Sequence, residues 1–264
     1  MHEYENRWAL PDWHSRLLWC KARNTQAIRT IIDILGEDEA RKAESSYLDV
    51  LHSIADEKFY TGTSAKVTQL GCPHDRKGCT ERVLSIAKDT AVRKITFEIG
   101  MGERGTVDFI LAAVEAWASK NYPVTVELQA YLNRTENDLE RVVEDGVMVR
   151  VVKGAYSGDV TDFLKIQGRF KSLIERLLET RSEFCVGTND SDLIEWATEK
   201  ASETSDRVEF SLLKGLGDQT KLEFVKHGWK VSEYVPFGND KTAHEDMRRM
   251  HLRHLEDMGR RPTP

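Results

Sequence analysis

Val124-Thr-Val-Glu-Leu-Gln129-Ala-Tyr131, then Asn133-Arg-Thr-Glu-Asn-Asp138-Leu-Glu, then Val147-Met-Val-Arg150-Val-Val-Lys153-Gly154-Ala155-Tyr156: the stretch from Val124 to Tyr156 reads as strand, helix and strand in succession. Both strand segments are apolar runs into which one polar side chain, Gln129 or Arg150, is set near the C-terminal end. A strand covered on both faces has few reasons to carry an amide or a guanidinium, because burying either without a partner is costly. A strand end that faces a ligand supplies such a reason, as at the C-terminal face of a parallel α/β barrel.

Working outward, the same alternation recurs along the chain. Apolar runs at 27–35, 64–70, 94–99, 124–131, 147–153, 184–188, 208–213 and 230–235 read as strands. Amphipathic segments such as 106–120, 163–181 and 193–201 lie between them, and a last helical stretch covers 242–258. Eight short strands alternating with helices point to a (β/α)8 barrel, with residues 1–26 as an N-terminal helical arm and 27–264 as the catalytic barrel. The C-terminal helix is expected to lie over the barrel mouth. A doubly wound open sheet is the competing architecture, but no Gly-x-Gly-x-x-Gly turn follows an early strand.

Bulk properties narrow the function classes. The 264 residues suffice for a large core, and the net charge of −6 argues against a nucleic-acid binder. With 31% charged residues and a mean hydropathy of −0.51, no apolar run approaches the roughly 18 residues of a membrane span. The first residues carry neither the apolar stretch of a signal peptide nor the bias of a transit peptide, so a cytoplasmic protein is expected. The cysteines at 20, 72, 79 and 185 are sparse and irregular, as in a reducing compartment. Cys72-Pro-His74 with Cys79 has half the spacing of a metal site, but no second ligand pair follows, and we read it as a loop with incidental thiols; no metal is expected.

At strand ends, three further features stand out. Lys66, in Thr63-Ser-Ala-Lys-Val-Thr-Gln-Leu-Gly71, and Glu98, in Ile95-Thr-Phe-Glu-Ile-Gly, place opposite charges on neighbouring strands, where they are expected to meet at the mouth. Tyr234-Val-Pro-Phe-Gly238 reads as a turn closing the last strand. Arg248-Arg249 on the helix beyond it could clamp a carboxylate, although adjacent arginines are also common on solvated helices.

Together the segments Ile34-Leu-Gly-Glu37, Ser64-Ala-Lys66, Leu128-Gln-Ala-Tyr131 with Arg134-Thr-Glu-Asn-Asp138-Leu, and Val149-Arg-Val-Val-Lys-Gly-Ala-Tyr156 resemble the proline dehydrogenase family. Gly187-Thr-Asn-Asp190, Glu209-Phe-Ser-Leu-Leu213, Tyr234-Val-Pro-Phe-Gly238 and Arg248-Arg249 continue the likeness, which spans roughly Thr30 to His254. It implies a barrel that binds FAD non-covalently and oxidises L-proline to Δ1-pyrroline-5-carboxylate, with electrons passing to a membrane quinone or another acceptor. It would place the protein in the cytoplasm, with transient contact at the inner face of the membrane and no stable insertion. No aldehyde-dehydrogenase domain follows in this chain, so a monofunctional enzyme is expected.

The resemblance also implies roles. Lys66 matches the family's active-site lysine, and Glu98 stands where the family usually has Asp. Gln129 and Arg150 match residues beside the isoalloxazine ring, with Arg150 near the atom that receives hydride. Lys153, Gly154 and Ala155 match a turn on the dinucleotide side. Tyr156, Leu213 and Tyr234 match the proline pocket, and Arg248 and Arg249 the pair that holds the substrate carboxylate. Lys66 also belongs to the implied substrate site, and Lys66, Glu98 and Arg150 form the implied catalytic set.

Departures fall at cofactor and pocket positions. The family's Ala-Thr-His motif reads Gly187-Thr188-Asn189, Ser211 replaces a Gln, Glu245 replaces a Tyr and Leu252 replaces a Glu. Two other readings therefore compete with the flavoenzyme. One is a degenerate barrel acting as a binding or regulatory protein, and the other is a lyase using Lys66 as a Schiff base.

Overall fold

The computed structural model describes residues 8–36, 39–154 and 158–238. Eight parallel strands close a barrel in sequence order: β1 (Arg29–Leu35), β2 (Thr61–Lys66), β3 (Phe97–Gly100), β4 (Val124–Gln129), β5 (Met148–Val152), β6 (Phe184–Gly187), β7 (Val208–Leu213) and β8 (Lys230–Gly238). The helices are α1 (Trp13–Thr25), α2 (Ala40–Glu57), α3 (Arg76–Arg93), α4 (Val107–Ala118), α5 (Thr135–Glu144), α6 (Phe163–Glu179), α7 (Ser191–Lys200) and α8 (Asp218–Lys226). The expected (β/α)8 architecture is therefore the one observed. The stretch 242–258, expected as a helix over the mouth, lies outside the described residues.

Strand alternation sorts the side chains into two environments. Val126, Leu128, Val149, Val151, Phe210 and Leu212 are buried in the continuous apolar core shared with the helices. Their neighbours Glu127, Gln129, Arg150, Glu209 and Ser211 take the other face, into the barrel. Helix starts follow local chemistry: the Asp12, Asp162 and Asp190 side chains accept backbone N–H groups at the first turns of α1, α6 and α7.

Strand bounds shift by up to four residues from the sequence expectation, β3 for example starting at Phe97 and not at 94, and β2 and β8 show why. β2 begins at Thr61 and ends at Lys66, not 64–70, because successive turn hydrogen bonds begin there, with Gln69 N donating to Lys66 O at 3.1 Å and Leu70 N to Val67 O at 3.1 Å. Its Thr-Gly-Thr-Ser-Ala composition hides the strand. Gly62 is demanded by crowding, since a Cβ there would lie 2.2 Å from Thr96 Oγ1 and 3.1 Å from Arg29 Nη1. β8 runs through Pro-Phe-Gly to Gly238 instead of turning at 236, because β1 pairs with it in the register Asp33↔Pro236, Ile34↔Phe237, Leu35↔Gly238. Pro236 lacks an N–H, and its carbonyl accepts from Leu10 N at 2.9 Å.

A buried charge network fastens α1 over the β8 flank. Glu233, fully buried on β8, accepts Trp19 Nε1 at 2.5 Å and Arg23 Nη2 at 3.1 Å, and pairs with Lys221 of α8. Asp218 completes it, at 2.6 Å from Arg23 and 3.0 Å from Lys221. Removing one partner from such a cluster leaves uncompensated charge in a dry site. Glu233→Ala should therefore lower unfolding free energy by about 3–5 kcal/mol, whereas breaking the exposed Lys230–Glu183 pair with Lys230→Ala should change it by about 1 kcal/mol or less. Urea midpoints of the two variants decide between them.

Candidate active site

The barrel interior is lined with polar groups from end to end. Near the strand starts, Arg29 of β1 reaches past β8 to Glu209 of β7, with Nε–Oε2 at 3.0 Å and Nη2–Oε1 at 2.5 Å, and its Nη1 donates to Thr96 Oγ1 at 2.7 Å. Cys185 Sγ lies 3.5 Å from Glu209 Oε1, and burial pushes its thiol well above the ordinary range. This pair is neutral and closes one end.

Midway up sits the cluster on which the site turns. Arg150 of β5 donates through Nε to Glu98 Oε1 at 3.0 Å and through Nη2 at 2.9 Å, and Nη2 also pairs with Glu127 of β4. Tyr234 Oη of β8 donates to Glu98 Oε1 at 2.5 Å and contacts Ser64 Oγ, while the Arg150 guanidinium lies 4.5 Å over the Tyr234 ring. The registers Ser64↔Glu98 and Glu127↔Arg150 bring these groups to a common depth. Burial opposes the Arg150 charge, but Glu98, Tyr234 and Glu127 outweigh it and hold the guanidinium protonated. Burial raises Glu127 to about 7; Arg150 opposes that shift and Glu98 adds to it.

Toward the strand ends, Lys66 Nζ pairs with Asp33 Oδ2 at 3.1 Å, one strand back on β1. The ion pair seen at Lys66 is thus with Asp33, whereas Glu98 serves Arg150 and Tyr234. This corrects the expected Lys66–Glu98 pair. Its cause is register: Ser64, not Lys66, stands level with Glu98, and Lys66 stands level with Gly100. Gln129 is buried, with Nε2 donating to Met101 O at 2.8 Å and Oε1 lacking a partner among the described residues. Ser211 Oγ on β7 and Asp33 Oδ1 are likewise buried without partners among the described residues.

Loops beyond the strands hold other expected residues in structural roles. Lys153 Nζ pairs with Asp190 Oδ2 at 3.2 Å, and Gln167 Nε2 donates to the same oxygen at 2.8 Å. Gly154 has φ 125° and lies against the Tyr131 ring, where a Cβ would come within 1.6 Å of Cε1. Thr188 Oγ1 accepts Asp190 N at 3.2 Å, and Asn189 Oδ1 accepts Leu213 N at 3.1 Å, so these two residues tie β6 to α7 and β7. Ala155, Tyr156, Arg248, Arg249, Glu245 and Leu252 lie outside the described residues. Asp33, Ser64 and Glu127 join the site without having been singled out in the sequence. Each lies two residues from a residue of the same strand that shares its face: Leu35, Lys66 and Gln129. Period-two reading of the strands was the signal that could have found them.

Among the described residues no group of three or more His, Cys, Asp or Glu is arranged to hold a metal ion. The Cys72 and Cys79 thiols are buried and unbridged, and burial raises Cys79 to about 12.

The raised Glu127 carboxyl has a thermodynamic signature. Its folded value of about 7 exceeds the ordinary 4.5, so the folded state binds the extra proton between the two. Stability from this group is complete below about pH 4.5 and is lost as pH rises through about 7. Glu127→Gln should remove that loss, so the variant gains stability relative to the native protein as pH rises across this window. Urea unfolding of both at pH 4.5, 6 and 8 provides the measurement.

Comparison with known proteins agrees with this architecture. Residues 19–256 match the family profile described as proline dehydrogenase. Proline dehydrogenase 2 of Bacillus subtilis (strain 168) is 27% identical over 241 residues, covering 87% of this chain and 80% of that protein. Proline dehydrogenase 1 of the same strain is 24% identical over 232 residues, covering 83% and 77%. Among solved structures, proline utilization A from Bdellovibrio bacteriovorus, inactivated by N-propargylglycine, superposes with a TM-score of 0.82 at 18% identity, over 93% of this chain and 32% of that one. The protein of that name from Corynebacterium freiburgense gives 0.77 at 15% identity, over 94% and 30%. Those low identities speak to the fold alone, and this chain spans about a third of either protein. The profile match over most of the sequence decides the matter: this chain belongs to the proline dehydrogenase family of oxidoreductases.

Proposed function

We propose that this chain oxidises L-proline to Δ1-pyrroline-5-carboxylate with FAD as the hydride acceptor and a quinone as the onward acceptor. The observation that carries the reading is the set of ligand-ready groups along the barrel interior of a family member: the buried Gln129 with its unpartnered Oε1, the Arg150 cluster, and the Lys66–Asp33 pair.

The interior chemistry fits a flavin. Gln129 Oε1 can accept an N–H and Ser211 Oγ can donate or accept, both groups that an isoalloxazine edge would satisfy. Arg150, kept cationic by its neighbours, would stabilise negative charge developing beside it. FAD, when bound, supplies a two-electron acceptor for hydride. Lys153, Gly154 and Ala155 are assigned to its dinucleotide side. Asn189 and Thr188, in the loop that holds a histidine elsewhere in the family, would border it through groups already fixed by Leu213 N and Asp190 N.

On the substrate side, Arg248 and Arg249 are assigned to the proline carboxylate, with Tyr156, Leu213 and Tyr234 against the ring. Lys66 and Glu98 set the charge around the amine, which must lose a proton before nitrogen lone-pair donation can drive hydride from the adjacent carbon. Lys66 engaged by Asp33 at 3.1 Å, in a chain that matches the proline dehydrogenase profile, favours the flavoenzyme over a Lys66 Schiff-base lyase. Among the described residues no helix is long and apolar enough to cross a membrane. Our reading places the protein in the cytoplasm, meeting a membrane quinone peripherally.

The purified protein should be yellow, and anaerobic L-proline should bleach its flavin bands; a colourless protein that takes up no added FAD would sink the reading in favour of a binding role. With a dye acceptor, Arg248→Ala and Arg249→Ala should each raise the KM for proline about ten- to a hundred-fold, the worth of one charge-assisted hydrogen bond. Unchanged KM in both variants removes the clamp.

A further inference from the structure

Glu127 has no counterpart among the residues assigned above, yet it shares Arg150 with Glu98. Among the described residues, the charged and titratable groups whose fields reach it are Arg150 of β5, Glu98 of β3, Lys66 of β2, Asp33 of β1 and Tyr234 of β8, and Arg150 is in direct contact. Lys66 and Asp33 cancel as a pair. Among the described residues one guanidinium then remains for two carboxylates, and that set carries one surplus negative charge when both are ionised. A surplus charge in a low-dielectric interior favours binding one proton.

Hydrogen bonding decides which carboxyl takes it. Glu98 Oε1 accepts Arg150 Nε at 3.0 Å, Tyr234 Oη at 2.5 Å and Ser64 Oγ at 3.4 Å, and lies 2.9 Å from Arg150 Nη2. Those donors stabilise the anion. Glu127 has the Arg150 Nη2 contact and no other hydrogen bond to a described side chain. Burial therefore favours a proton on Glu127, where a single donor opposes it.

We propose that Glu127 is the proton store of this site, a positioning residue that binds a proton when negative charge is placed against Arg150 and so keeps the guanidinium available to that charge. This rests on the flavin reading above. Zwitterionic proline gives up one ammonium proton, and its hydride carries two electrons and a proton to the acceptor. The products are the iminium form of the imino acid and one added negative charge beside Arg150. The one proton released is balanced by the one bound at Glu127. With Glu127 protonated, Arg150 is answered by Glu98 alone and can face the new charge.

The test follows the Glu127 carboxyl carbon by NMR in the full chain labelled at glutamate, with the resonance assigned by its loss in Glu127→Gln or, should that variant not fold, its shift in Glu127→Asp. Two perturbations alter the charge at Arg150. Glu98→Gln removes a negative charge and should lower the Glu127 titration midpoint by about one pH unit or more, a tenfold drop in proton affinity. Reduction of the bound flavin adds a negative charge and should raise the midpoint by a similar amount. In parallel, the flavin potential should fall with pH around neutrality with a slope of two protons per two electrons in the native protein and one in Glu127→Gln. A Glu127 midpoint in the ordinary carboxylate range, or one unmoved by Glu98→Gln, overturns the proposal. So does a midpoint or potential slope indifferent to flavin reduction. A protein that takes up no flavin overturns the flavin reading, and there the response to Glu98→Gln alone decides whether Glu127 stores the proton.

Discussion

One guanidinium inside the barrel, Arg150 between Glu98 and Glu127, is the constraint around which the interior is arranged. A cation cannot sit in a closed barrel without anions, and each anion brought in for it demands donors of its own. Tyr234 and Ser64 answer Glu98, and their presence on β8 and β2 draws five strands into one cluster. A pair of this kind adds little net stability over a packed apolar core. Its presence in the middle of the barrel is better explained by what the charge does there than by what it contributes to folding.

The rest of the molecule isolates that cluster. Below it the Arg29–Glu209 pair occupies the strand starts with a neutral bidentate contact, joined by Thr96 and Cys185. Around it the apolar strand faces pack on the helices, so the polar lining has no route to the outer core. Alongside, α1 occupies the β8 flank and is fastened through Glu233, whose buried carboxylate gathers Trp19, Arg23 and Lys221. Two buried charge systems on opposite faces of β8, Tyr234 inward and Glu233 outward, make this strand the hinge between scaffold and site.

Departures from the family pattern acquire a physical sense once seated in the structure. Asn189, in place of a histidine, spends its side-chain oxygen on Leu213 N and so binds two strand ends together. Ser211, in place of a glutamine, has a buried Oγ with no partner among the described residues. Both changes leave the Arg150 cluster intact.

Fold class was legible in the sequence because buried parallel strands are written as short apolar runs at regular spacing, and each needs only local information to recognise. Gln129, Arg150, Lys66 and Glu98 stood out for a related reason, a polar residue set in a segment read as an apolar strand, whereas Tyr234 was reached through its turn motif and the family resemblance. Strand β2 was misplaced because Thr-Gly-Thr-Ser-Ala owes its burial to the crowding of Arg29 and Thr96, which lie far away in sequence. Glu127 was hidden inside a run read as apolar, and only the two-residue alternation with Gln129 reveals that it faces inward. Which charge meets which was beyond the sequence altogether. Lys66 finds Asp33 and Arg150 takes both Glu98 and Glu127 because barrel register sets the heights of residues on different strands. Local sequence thus determined what each strand carries and which way it faces. Closure of the barrel decided the partners, because the energy of a buried charge depends on distances across the interior that no single strand encodes.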